Sequence, residues 1–166
     1  MRVIMGAVAK GYTLKEAVKA HLQKSGHEVV DVGCHDTARF YTFPSIGERV
    51  ARALQRGDAP LAINCCGSGT GASIAAGKFA GVCAVSCETV QTARLIRVVN
   101  DANCMCLGEL VVPPDRACAM ADAFLAAEFQ DADGIPDRVL AFWKDARDEL
   151  FARGPEPRER DIEVLP

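Results

Sequence analysis

Apolar residues along this chain fall into five short, nearly unbroken runs, separated by longer stretches where they recur every three or four positions. The runs are "RVIMG" at 2–6, "HEVVDVG" at 27–33, "PLAINC" at 60–65, "GVCAVSC" at 81–87 and "NCMCLG" at 103–108. None alternates cleanly between apolar and polar, so each reads as a strand buried on both faces. The stretches between them read as helices. In "YTLKEAVKAHLQKSG", Leu14, Val18 and Leu22 share one stripe, Thr13 with Glu16 three residues later suggests a capping box, and Gly26 ends the element. Pro44 opens "PSIGERVARALQRG", which Gly57 closes. "TVQTARLIRVVND", "DRACAMADAFLAAEF" and "IPDRVLAFWKDARDELFARG" follow, the last with Val139, Phe142, Trp143 and Ala146 on one face.

Strand and helix alternate five times, which predicts an α/β fold: a five-stranded parallel sheet with helices on both sides. No internal repeat or linker divides the chain, so residues 1–152 read as one domain and 153–166 as a polar, proline-containing tail. In such sheets ligands gather at the carboxyl ends of the strands. The loops after residues 6, 32, 65, 86 and 107 are therefore the ones to inspect.

Composition narrows the function classes. The 166 residues are 49% hydrophobic and 25% charged, with a formal net charge of −3. Nothing in that balance favours a nucleic-acid partner, and basic residues do not cluster. No apolar run approaches a membrane span, and "MRVIMGAVAKG" reads as a first strand rather than a signal peptide. Eight cysteines raise the question of disulfides or zinc. However, Cys65 and Cys66 are adjacent, Cys104 and Cys106 are one apart, and no C-x-x-C pair occurs. The expectation is reduced core thiols in a cytoplasmic protein, with no metal and no cofactor.

The stretch richest in chemistry is "INCCGSGTGASIAAGK", residues 63–78. It is not a P-loop, because Ala72 stands where the first glycine belongs and Phe79 replaces the magnesium-binding hydroxyl. Gly67, Gly69 and Ala72 do fit a dinucleotide fingerprint, with Glu88 at the distance of a ribose-binding acid. Against this, the motif follows the third strand rather than the first, and only about eight residues remain for its helix. A third reading is a thiol on an anion-binding loop. Successive N–H groups around Gly67–Gly71 favour a thiolate nearby, and a thiolate beside amide donors suits proton abstraction next to a carbonyl. Local features alone leave that reading and a tight turn with two inert cysteines both open.

The whole order of pieces resembles the type B ribose-5-phosphate isomerases, grouped with the galactose-6-phosphate isomerase subunits. "CGSGTGASIAAGKFAG", "NDANCMCLG" and "MADAFLAAEF" are similar to that family's segments, and the resemblance spans about residues 1–150. It implies a three-layer, Rossmann-like sandwich, a homodimer or dimer of dimers with sites shared between subunits, and metal-independent aldose–ketose isomerisation through an enediolate. By resemblance, Cys66 is the general base and Ser68 the hydroxyl beside the developing oxyanion. The amides of Gly67, Gly69 and Gly71, with Thr70 among them, match the anion hole, and Asn100 matches a sugar-contacting asparagine. The alternative base used by some members, a glutamate in the glycine loop, is Ala72 here.

The departures are equally informative. Val8 and Ala9 stand where the family carries an acid and a histidine, and Val99 where it carries a ring-opening histidine. Phe43 replaces a tyrosine and Leu110 a phosphate-binding arginine. "ADGI" replaces a basic segment, leaving Arg138 as the matched cation. Lys10, His35 and Arg39 lie near strand ends and are candidates to compensate. The expected partner is a small sugar or sugar phosphate other than plain ribose 5-phosphate, acting in open-chain form. The last-helix segment resembles isomerases of unsaturated-uronate breakdown, and "FYTFPSIGERVARAL" is similar to the tetrulose-phosphate isomerases. A non-catalytic sugar-binding partner subunit and an NAD-type domain are the alternatives from other classes.

Overall fold

The computed structural model describes residues 1–152; the tail expected at 153–166 lies outside the described residues. Five parallel strands form one sheet: β1 (Arg2–Ala7), β2 (Glu28–Asp31), β3 (Leu61–Cys66), β4 (Ala84–Ser86) and β5 (Cys104–Gly108), in the order β2-β1-β3-β5-β4. The six helices are α1 (Tyr12–Lys24), α2 (Phe43–Gln55), α3 (Thr70–Ala76), α4 (Val90–Asn100), α5 (Pro114–Ala126) and α6 (Asp137–Ala152). β3 and β5 are buried along their whole length, which explains their continuous apolar runs.

The sheet separates two apolar layers. On one side, Met5, Ile63, Cys65 and Met105 pack against Leu14, Val18 and Leu22 of α1, Ala93 and Ile96 of α4, and Met120 and Phe124 of α5. On the other, Ile4, Ala62, Cys66 and Cys106 pack against Ile46 and Val50 of α2 and Ala72 and Ala76 of α3. Adjacent residues of a strand point to opposite faces, so Cys65 and Cys66 belong to different layers. α6 packs outside, on α4.

Local chemistry sets the helix ends, and it departs from the sequence reading in three places. α1 does not form the Thr13–Glu16 capping box. Its N-cap is Gly11, without a side-chain bond, and Glu16 instead pairs with Lys15 and Lys19. α2 starts one residue before Pro44, because the Thr42 side chain accepts from the Ser45 N–H at 3.4 Å. On α6, Val139, Trp143 and Ala146 are half-buried while Phe142 is exposed, so the expected apolar face is narrower than the sequence pattern. The cysteines behave as core residues. Six are buried, two are half-buried, and all eight are unpaired.

Candidate active site

The carboxyl ends of the two central strands meet at the glycine loop. Cys66 of β3 stands in register with Gly108 of β5. The loop between β3 and α3 is clamped from both flanks. Glu109 and Leu110 donate their backbone N–H groups to the carbonyls of Cys66 and Gly67 at 2.9 and 3.0 Å, and Val8 donates to the carbonyl of Cys65 at 3.3 Å. Gly69 takes a φ of +83°, and a β-carbon there would lie 2.6 Å from Ser86 Oγ and 3.1 Å from the Gly108 nitrogen. Conformation and space both demand glycine.

That turn aims the Gly69 N–H at Cys66 Sγ, 3.1 Å away. The residue as a whole is 6% exposed, at the carboxyl end of its strand. Its neighbour differs in every respect. Cys65 is fully buried in the opposite layer, and burial pushes its thiol far above the ordinary cysteine range. Of the two cysteines, then, only Cys66 combines an accessible surface with a donor on its sulfur. Ser68 and Thr70 are exposed at the loop tip and share a hydrogen bond of 2.7 Å between their hydroxyls.

The sequence-predicted residues divide into those near this loop and those elsewhere. Lys10 is near: its Cγ lies 3.4 Å from where a β-carbon on Gly67 would stand, with Leu110 Cδ1 at 3.8 Å. The Phe43 ring lies 3.4 Å from the equivalent position on Gly71. Gly69 sits differently from Gly67 and Gly71. Its amide, expected to face an oxyanion, donates here to the Cys66 sulfur.

His35 and Arg39 are not part of this loop. His35 is exposed, 4.0 Å from Asp31, and lines a groove of about 460 Å³ with Glu48, Arg49, Arg52 and Arg56. The Arg39 guanidinium beside Tyr41 holds that phenol below its ordinary value. Asn100 is the exposed last residue of α4, at the amino end of β5. The length of that strand, about 13 Å, separates it from the edge bearing Cys66. Arg138 is exposed in the first turn of α6. One chain therefore does not bring Asn100 to the glycine loop as a single cluster with Cys66.

Sequence reasoning missed Glu109. Its backbone N–H holds the Cys66 carbonyl, and its side chain accepts from the N–H groups of Thr13 and Leu14 at 3.1 and 3.3 Å. Thus the cap that α1 lacks locally comes from the end of β5. The available signal was a lone acid directly after a strand-ending glycine. Among the described residues, no group of three or more potential metal ligands comes together, and no helix is long and apolar enough to cross a membrane.

Comparison with known proteins agrees with this architecture. The model of the Ribose/Galactose Isomerase family matches residues 3–139. A "4-deoxy-4-sulfo-D-erythrose isomerase" of a Clostridium species is 37% identical over 152 residues, covering 92% of this chain and 94% of that protein. A "D-erythrulose-4-phosphate isomerase 2" of Mycolicibacterium smegmatis is 30% identical over 141 residues, 84% of this chain and 93% of that one. Among solved structures, the ribose-5-phosphate isomerase B of Clostridium thermocellum superposes with a TM-score of 0.79 at 36% identity. The match covers 90% of this chain and 97% of that one.

Proposed function

The chain belongs to the ribose/galactose isomerase family, and from that premise we propose that it interconverts a short open-chain aldose and its ketose, with Cys66 as the general base. The observation that carries this is Cys66 itself, at a strand's carboxyl end, with its sulfur receiving an N–H from Gly69. The sulfur, as thiolate, removes the proton from C2 of the aldose. The electron pair moves into an enediolate, and the same proton, or one exchanged from solvent, is returned to C1. The hydroxyl proton passes from O2 to O1, carried by the Ser68–Thr70 hydroxyl pair, whose mutual hydrogen bond of 2.7 Å supports this role. Gly67 and Gly71 are the loop amides left to face the oxyanion, since Gly69 serves the base.

The substrate we propose is a four-carbon sugar with an anionic end. Val8, Ala9 and Val99 leave the positions of the family's acid and histidines apolar, which disfavours a ring-closed substrate. A tetrose substituted at C4 cannot close an ordinary ring. Two relatives are named for four-carbon substrates, one sulfonated and one phosphorylated. A keto-uronate would also arrive open, but no relative described above is named for one.

We further propose a homodimer with shared sites, in a cytoplasmic setting that keeps the thiols reduced. Asn100 lies at the sheet's other edge, so it reaches a glycine loop only on a second copy. Exposed Phe43, Leu110 and Val111 near the loop give that copy an apolar surface to cover. A non-catalytic partner role would leave the donor on the Cys66 sulfur without a purpose.

Incubation with 4-deoxy-4-sulfo-D-erythrose or D-erythrose 4-phosphate in deuterium oxide, followed by NMR, tests the reading. Ketose carrying deuterium at C1 is the expected product. Failure to convert either, or any five- or six-carbon sugar phosphate, would contradict it.

A further inference from the structure

A row of four residues crosses the sheet one step below Cys66. Gly6 of β1 pairs with Asn64 of β3, Asn64 with Cys106 of β5, and Cys106 with Ser86 of β4. Strand alternation puts Asn64 on the same face as Cys66, two residues away, with about 6–7 Å between their Cα atoms. Asn64 is 1% exposed, and neither its Oδ1 nor its Nδ2 has a hydrogen-bond partner among the described residues. Lys15, the other buried polar side chain among them, is held by Asp31, Glu16 and the Cys34 carbonyl. The fold makes room for the amide. A β-carbon on Gly6 would lie 2.8 Å from Asn64 Oδ1 and would collide with Val50. A buried, unbonded amide costs stability, and a leucine would fill the position without that cost.

Cys66 gives the amide a use. Its layer is otherwise apolar, with Ile4 of β1, Ile46 and Val50 of α2, and Ala72 and Ala76 of α3, while the charged Glu48, Arg49 and Arg52 of α2 are exposed. The Cys104 and Cys106 thiols share that layer. Their mutual hydrogen bond and burial push Cys106 well above the ordinary cysteine range, so it stays neutral. Lys10 and Glu109 flank the loop with opposite charges 3.5 Å apart, which largely cancel. A thiolate in such surroundings needs dipoles turned toward it. Gly69 supplies one from the loop side. An amide bonded at both ends could not turn toward the charge. The Asn64 amide is unbonded, and at low local dielectric its dipole acts over this distance.

We propose that Asn64 is a positioning residue for the base: its amide turns toward the ionised Cys66 sulfur from inside the layer and keeps it in the form that takes the substrate's proton. This rests on the isomerase reading above, with Cys66 as the base.

The test sets Asn64→Leu and Asn64→Ala, which both lack the dipole but differ in volume, beside the wild type. Two quantities are followed against pH: kcat/KM for 4-deoxy-4-sulfo-D-erythrose, and the rate of Cys66 alkylation by iodoacetamide, located by peptide mass spectrometry. Both variants should move the acid limb of each profile upward by about half a unit to one unit, lowering kcat/KM on that limb about three- to tenfold. A packing role would instead set the two variants apart in melting temperature and leave the limbs in place. Limbs at the wild-type pH in a folded variant overturn the inference and leave the isomerase reading intact. Alkylation needs no substrate. A wild type that converts no sugar therefore overturns the isomerase reading, while the alkylation profile still decides the role of Asn64.

Discussion

The two edges of the central strands have opposite characters. At the amino edge the polar residues are consumed by the fold. The Asn103 amide accepts from the Cys83 N–H at 2.9 Å and donates to the Gly81 carbonyl at 2.8 Å. Asp101, left-handed at φ 51°, stops α4 and binds both Arg97 and Arg147. Of "NDAN", Asp101 and Asn103 are bonded this way, while Asn100 stands exposed. At the carboxyl edge the backbone is the clamped part, and the side chains of Cys66, Ser68, Thr70 and Lys10 face outward from it or lie just beneath. A fold that satisfies one edge internally and holds the other open in a rigid frame separates stability from chemistry.

The sharpest way to break this comparison is to ask whether the two edges meet across subunits. Asn100→Ala should lower kcat/KM by about a hundredfold without lowering the melting temperature, the size expected for one positioned polar contact in a site. Mixed and re-equilibrated with Cys66→Ala, it should recover about a quarter of wild-type activity, because half of the random dimers carry one intact site. No recovery would place Asn100 outside the site.

The outer part of the carboxyl edge is built for stability. Lys15 is fully buried, and its ammonium reaches Asp31 Oδ2 at 2.7 Å and the Cys34 carbonyl at 2.6 Å. Burial raises the Asp31 carboxyl, but hydrogen bonds from Lys15 and Lys19 outweigh it and hold the group below its ordinary value. A depressed folded pKa stabilises the protein above the unfolded carboxylate value of about 4. That contribution is lost as pH falls through the folded value. Lys15→Met should cost ~3 kcal/mol in urea unfolding at pH 7. It should also flatten the acid limb of stability against pH.

A smaller effect sharpens the contrast at the other edge. Asn103→Ala removes partners from the Cys83 N–H and the Gly81 carbonyl and should cost ~1.5 kcal/mol of stability. Equilibrium unfolding measures this. A comparable loss of kcat at a temperature where the variant is folded would show that the amino edge contributes more to the chemistry than its bonding suggests.

Much of this was legible in the sequence, for physical reasons. Strands buried on both faces have no polar face to interrupt their runs, so β3 and β5 were plain. Cys66 was singled out over Cys65 by resemblance to a family; the structure adds that the two side chains lie in opposite layers of the sheet. The cap on α1 was not legible. Thr13 and Glu16 have the spacing of a capping box, but Glu16 is drawn to Lys15 and Lys19, and Glu109 reaches the same amides from 96 residues away. Tertiary contact overrode a local signal. Asn100 and Arg138 could be matched to a family's site residues, yet only the parallel topology reveals that Asn100 belongs to the opposite edge. His35 and Arg39 follow β2 as expected, but β2 is an edge strand two places from β3, so its loop opens onto a different groove.

The central claim is that the Cys66 sulfur moves the proton. Solvent deuterium uptake into 4-deoxy-4-sulfo-D-erythrose, measured in the wild type, Cys66→Ala and Cys65→Ala, tests it most directly. The account expects exchange in the wild type and in Cys65→Ala, and a loss of at least ~10³-fold in Cys66→Ala. Exchange that persists in folded Cys66→Ala at a rate near wild type would contradict it.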